Sequence, residues 1–202
     1  KSRTHKLVFL LVFGIVSGFY SFELSGQEDI TALEDIQSAI LQQQWDQALE
    51  MIRTEVEKTP DSPQLQYSLG TVYMHNGLFS AASTCFQNSK KLGNTDPELL
   101  LMLSETYRFR NSYELALPYL IQYLSRIPDD LNGWAHFGWL CYKTNNTEFG
   151  INELLLHLDQ IGPDPAVYAS LANLYTAEFN YPKARHYYSE AIRIAESRNL
   201  VS

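Results

Sequence analysis

Apolar and polar positions alternate along most of the chain with the period of a helix. Leu69, Gly70 and Tyr73 stand at i, i+1 and i+4, which is one helical face, and Phe79, Ala82 and Phe86 at i, i+3 and i+7 form a second. Gly77 between them, and Asn111 in the equivalent place, predicts a tight turn joining two helices. The same two-helix pattern returns every 34 residues. Leu69, Leu103, Phe137 and Leu171 form a large column, and Gly70, Ser104, Gly138 and Ala172 a small one beside it. Tyr73, Tyr107, Cys141 and Tyr175 follow. In the second helix, Ala48, Ala82, Ala116, Gly150 and Ala184 are small, while Ile52, Phe86, Leu120, Leu154 and Tyr188 are large. The register runs without insertion from Asp29 to Arg198. It divides the chain into units 29–62, 63–96, 97–130, 131–164 and 165–198.

The column chemistry predicts how such units associate. Small residues let two helices approach closely, and large ones fill the layer toward the next unit. One hairpin cannot bury its own apolar faces, so the units must stack. Ser62, Asp96, Asp130 and Asp164 recur just before each first helix as candidate N-caps, followed by Pro63, Pro97 and Pro165 at the first helical position. Departures mark expected irregularities. Ile36 and Ala39 make the first unit degenerate, and Pro118 falls inside a second helix, where it should bend it. Cys141, Thr147 and Gly150 make the fourth unit the loosest. In the last unit Tyr188, Ala191, Ile192 and Ala195 are expected to face outward, to be covered by further chain or, in a homo-oligomer, by the C-terminal repeat of another subunit.

The N-terminus has a different pattern. Lys1, Arg3 and Lys6 precede 16 uncharged residues, Leu7 to Phe22, before the polar stretch that begins at Glu23. Residues 1–26 therefore read as a signal peptide for export to the periplasm or cell envelope, or as an uncleaved anchor in the inner membrane. Sixteen helical residues span roughly 24 Å, short of the ~30 Å hydrocarbon core, which favours a cleaved signal. Membrane contact is expected through this segment only. Residues 23–202 hold 12 basic and 23 acidic side chains, a net of −11, which argues against nucleic acid as a partner. Cys85 and Cys141 fall two units apart, too far for a mutual bridge.

The columns Leu69, Gly70, Tyr73, Gly77, Phe79, Ala82 and Phe86, and again Leu171, Ala172, Tyr175, Tyr181, Ala184, Tyr188 and Ala191, resemble the tetratricopeptide repeat. The resemblance implies an all-α fold: a right-handed superhelical array of five tetratricopeptide-like helix–turn–helix repeats, an α-solenoid. It also implies a noncatalytic scaffold that binds a protein or peptide client. In a curved stack the first helices line the concave side. Their positions outside the packing columns are Tyr67, Thr71, Met74, His75, Leu101, Glu105, Arg108, Phe109, Trp139, Tyr142, Lys143 and Asn173, with Ala135 and Thr176 on the same rows. Aromatic rings interspersed with Arg and Lys are the residue types that anchor protein interfaces.

Enzymatic readings find no support in the residues. The histidines at 5, 75, 136, 157 and 186 show no metal-ligand spacing, and no nucleophile elbow or phosphate-binding glycine loop occurs. No catalytic residue, cofactor or metal is therefore expected. Two alternatives stay open beside the scaffold: an accessory substrate-recognition subunit of an envelope enzyme complex, and a membrane-tethered assembly factor.

Overall fold

The computed structural model describes residues 31–199, and all regular structure among them is helical. The helices are α1 (31–41), α2 (Trp45–Lys58), α3 (Pro63–His75), α4 (Phe79–Lys91), α5 (Pro97–Phe109), α6 (Tyr113–Leu124), α7 (Leu131–Lys143), α8 (Thr147–Ile161), α9 (Pro165–Ala177) and α10 (Tyr181–Asn199). From α3 onward each odd-numbered helix pairs with the helix after it, and α2, α4, α6 and α8 also pack on the odd-numbered helix of the following hairpin. The even-numbered helices do not pack on one another. They form the splayed outer layer of an α-solenoid, and the odd-numbered helices form its inner layer. The segment 1–26 lies outside the described residues. No helix among those described is long and apolar enough to cross a membrane.

The repeating columns supply the core. Leu103, Phe137, Leu171, Ala82, Phe86, Ala116, Leu120, Leu154 and Ala172 are fully or almost fully buried, and one apolar cluster runs from Ala82 to Ala184. A second cluster joins Ile36, Ala39, Ala48, Ile52, Leu65 and Val72 at the N-terminal end. Every turn within a hairpin places one residue in the left-handed region: Gln43, Gly77, Asn111, Asn145 and Phe179, with φ between 56° and 71°. The turn geometry thus repeats every 34 residues, although glycine fills it once.

Ser62 caps α3 by accepting from the Leu65 amide, Asp96 caps α5 from Glu98, and Asp164 caps α9 from Ala166 and Val167. Asp130 departs from the expectation. Its carboxylate accepts from the Tyr123 hydroxyl at 3.1 Å instead, and α7 has no side-chain cap. The helix α6 runs through Pro118, which is exposed. At the far end Tyr188 and Ile192 are exposed as expected, but Ala191 is buried. It shares the register of Ser89, Tyr123 and His157, all of them buried, so it too faces into its own unit.

Of the hairpins from α3 onward, α7–α8 makes the least extensive contact, and α7 packs closely on α9 instead. Gly138 permits this approach: a Cβ there would stand 2.8 Å from Ser170 Cβ and 3.3 Å from Leu154 Cδ1. Ser170 Cβ is fixed to the α9 backbone and cannot turn aside. Gly138→Ala should therefore overpack the α7–α9 contact, at a cost of about 1–3 kcal/mol. That outweighs a gain in helix propensity of up to about 1 kcal/mol. A lowered urea midpoint with unchanged helicity is the expected result.

Candidate functional site

The inner face is organised by contacts thirty residues apart. The residue that opens each even-numbered helix meets the last residue of the next odd-numbered one. Trp45 stacks on His75 with centroids 3.7 Å apart, and Phe79 on Phe109 at 4.8 Å. Tyr113 receives the Lys143 ammonium 6.0 Å from its ring centre and the Trp139 ring edge-on at 5.2 Å. At the fourth step the pair is Thr147 and Ala177, and neither carries a ring. The Thr147 hydroxyl donates instead to the Glu178 carboxylate.

Where that rung is missing, a cleft of about 670 Å³ opens between α7 and α9. Trp139 and Tyr142 form one wall, and Asn173, Thr176 and Ala177 the other. Gly138 and Ser170 line it as well, and Phe179 closes one end. Both Trp139 and Tyr142 are exposed, Tyr142 by 51%. The Lys143 ammonium sits 5.4 Å from the Trp139 ring and 5.6 Å from that of Tyr142, close enough for cation–π attraction that holds the two rings in place. Asn173 accepts a hydrogen bond of 2.5 Å from Tyr188. Phe179 is 77% exposed and has φ 57°, a conformation that costs an L-residue roughly 1–2 kcal/mol.

Three of the twelve residues expected to line a groove, Trp139, Tyr142 and Asn173, come together in this cleft, with Lys143 behind them. The others lie along the inner layer in different states. Tyr67, Met74 and Leu101 are half-buried and pack on the core. The Tyr67 ring lies 5.6 Å from that of Phe86, and Thr106 donates to Met74 Sδ at 3.7 Å. The Thr71 hydroxyl donates to the Tyr67 carbonyl of its own helix. His75 and Phe109 form the outward halves of their rungs, with the Arg108 guanidinium 4.2 Å from the Phe109 ring centre. Phe179, Glu178, Asn145 and Thr147 were not on the expected inner rows, because they belong to turns and helix starts.

Between units three and four the inner face carries a charge network. Glu105 accepts from Arg108 one turn later and from His136 Nδ1 across the interface at 3.3 Å. Burial alone would raise the Glu105 carboxyl. The hydrogen bonds and charges of His136 and Arg108 outweigh it and hold the pKa at about 2. The same contact lifts His136 above its ordinary value, against partial burial. Burial raises both thiols, Cys141 to about 12 with Glu153 adding to the shift, and both cysteines are free and buried. At neutral pH neither is a thiolate nucleophile. No group of three or more His, Cys, Asp or Glu among the described residues is arranged to hold a metal ion.

A sequence profile of the tetratricopeptide repeat matches residues 165–198. The solved structures supply the wider comparison. YrrB, described as a tetratricopeptide-repeat protein with an unusual peptide-binding site, is 18% identical and superposes with a TM-score of 0.73 over 81% of this chain and 84% of that one. A MamA crystal structure is 15% identical, with a TM-score of 0.75 over 86% and 95% of the two chains. MamA from Desulfovibrio magneticus RS-1 is 16% identical, with a TM-score of 0.72 over 84% and 96%. The fold is that of a tetratricopeptide-repeat solenoid. No curated protein matches the sequence. At these identities the likeness is one of architecture, and the chemistry of the inner face is this chain's own.

The Glu105–His136 pair has a defined pH window. His136 has a raised folded pKa, so its contribution is full below the unfolded value of about 6.5 and is lost as pH rises through the folded value. Glu105 contributes above about 4.5, and that contribution is lost as pH falls toward 2. The loss of thermal stability on His136→Gln should therefore be larger at pH 5.5 than at pH 8.5. NMR titration of His136 should give a pKa above 6.5 in the native chain and a lower one in Glu105→Gln.

Proposed function

We propose that this chain is a noncatalytic binding scaffold of the cell envelope that captures a protein or peptide segment along its inner face. The observation that carries this reading is the cleft at the missing rung. Three successive steps of the solenoid fill this register with a ring or a cation from the chain itself. The fourth leaves it empty, beside two exposed aromatic side chains. An apolar or aromatic side chain of a client would take the vacant place, gaining about 25 cal/mol for each Å² of apolar surface removed from water. Asn173, Asn145 and Thr176 offer polar groups to its backbone. The basic, then apolar N-terminal sequence supports export, by a cleaved signal or an uncleaved anchor. N-terminal sequencing of the mature protein distinguishes the two.

Trp139→Ala combined with Tyr142→Ala should abolish client capture, read by crosslinking from envelope fractions and mass spectrometry, while the helical circular dichroism spectrum stays unchanged. Capture at the wild-type level would place the site elsewhere. Phe179 separates function from folding in a second way. Phe179→Gly relieves an unfavourable backbone conformation at an exposed position, so stability should hold or rise by up to about 1 kcal/mol, while client affinity falls. A stability loss above about 1 kcal/mol would show that the ring is structural.

A further inference from the structure

The outer layer carries a second feature that the inner-face reading does not use. Between α6 and α8, above the start of α7, lies a pocket of about 280 Å³ whose apolar lining includes Leu124, Trp134, Phe137 and Phe149. Its rim is open: Ile121 is exposed, Phe149 by 42% and Leu156 by 52%. The 34-residue register shows that in units one, two and five these positions are polar except for Ala81. Where units three and four present Ile121 and Leu156, unit one has Arg53 and Thr54, unit two Gln87 and Asn88, and unit five Ser189 and Glu190. At the register of Phe149 those units carry Gln47, Ala81 and Lys183. Contiguous apolar side chains at solvent-facing positions of a repeat mark a contact surface.

His157 sharpens the assignment. It lines the same pocket, is 3% exposed, and stacks on Trp134 with centroids 4.1 Å apart. Its Nε2 is the one buried side-chain nitrogen or oxygen among the described residues with no hydrogen-bond partner. The same register is satisfied in the two units before it: Ser89 donates to the Pro63 carbonyl at 2.7 Å and Tyr123 to Asp130. Burial pulls the imidazole below its ordinary pKa, so the ring is neutral and does not repel a cation brought alongside.

Charge decides what fits. Glu153 is the one charged side chain that lines the groove, and the two helices that flank it carry Glu114, Glu148 and Asp159 elsewhere and no Lys or Arg. Just past α6, Arg126 turns its guanidinium to the Thr95 carbonyl. An apolar trough whose one charged lining residue is Glu153, between helices without Lys or Arg, is complementary to an amphipathic helix whose apolar face is bordered by Lys and Arg. It disfavours anionic lipid, nucleic acid and a second copy of this acidic chain. We infer that the α6–α8 groove is a docking surface for a basic amphipathic helix of a protein partner, with one large apolar side chain seated over Trp134 and His157.

The test uses the full chain and two synthetic probes, an 18-residue amphipathic leucine–lysine peptide and its leucine–glutamate counterpart, followed by isothermal titration. The lysine peptide should bind one to one, and the glutamate peptide at least tenfold more weakly. Ile121→Gln, Phe149→Ala and Leu156→Asn together give the groove the residues that unit two carries at the same register, and leave its charge unchanged. That triple variant should keep its helicity and lose at least tenfold in affinity. Glu153→Gln should weaken binding severalfold, and more so at low salt. The Trp139→Ala, Tyr142→Ala variant should bind the lysine peptide as the wild type does, which separates this surface from the inner cleft. Equal binding of the two peptides, or wild-type affinity in the triple variant, would overturn the assignment. So would a wild-type dimer that the triple substitution dissociates, or binding of acidic phospholipid vesicles that it abolishes.

Discussion

A hairpin of two short helices has more apolar surface than its two members can hide from each other, and the rest of this architecture follows from that imbalance. Each outer helix has to lie between two inner ones. Phe86, Leu120 and Leu154 are fully or almost fully buried because the following hairpin covers them, whereas Tyr188, at the same register in the last unit, is exposed. Small side chains at Ala82, Ala116 and Gly150 set how closely the layers approach, and the left-handed residue in every turn returns the chain in the same direction. Stability in such an array is a sum over neighbouring units, so a weak interface is tolerated if its neighbours are strong. The fourth unit uses that tolerance. Its own hairpin is the most open from α3 onward, and α7 recovers contact by closing on α9 through Gly138.

Where the sequence was legible, the physics was local and repeated. The buried columns could be assigned from side-chain size at fixed spacing, and three of four N-caps from a short polar residue ahead of a helix. The fourth, Asp130, failed for a reason that propensity does not contain. A tyrosine seven residues earlier competes for the carboxylate, and Leu131 stands where the capped helices carry proline. The uncovered end of the array makes an outward Ala191 the expectation, whereas the register of Ser89, Tyr123 and His157 points it into its own unit.

The inner-face residues were legible as a row but not as a site. Helical periodicity places Tyr67, Leu101 and Trp139 on comparable faces, yet the first two are half-buried in the core and the third is open. What separates them is contact between helices: Tyr67 and Leu101 pack on the core, while Trp139 borders the cleft where the rung thirty residues long, a contact between different units, is missing. Thr147 stands where the other units carry Trp45, Phe79, Tyr113 and Tyr181. Its consequence depends on Ala177, which is unremarkable in sequence until the stack brings it opposite. The left-handed Phe179 was likewise hidden, since nothing in a Glu-Phe-Asn tripeptide signals positive φ. The turn register shared with Gly77 and Asn111 was the one available sign.

The two surface features of units three to five share an origin. A repeat constrains the positions that touch neighbouring units and leaves the others free to vary, so specific chemistry accumulates as departures from the column pattern. Losing a ring at Thr147 and Ala177 opens the inner face, and gaining apolar side chains at Ile121, Phe149 and Leu156 does the converse outside. Both departures border α7 and α8, the hairpin least committed to its own internal packing. A change in the angle between these helices would alter both surfaces, because Phe137 and Phe149, in edge-on contact at 5.8 Å, line the outer pocket while Gly138, next along α7, lines the inner cleft. Interfaces of this kind carry energetic coupling when they have two packed arrangements rather than a continuum of them.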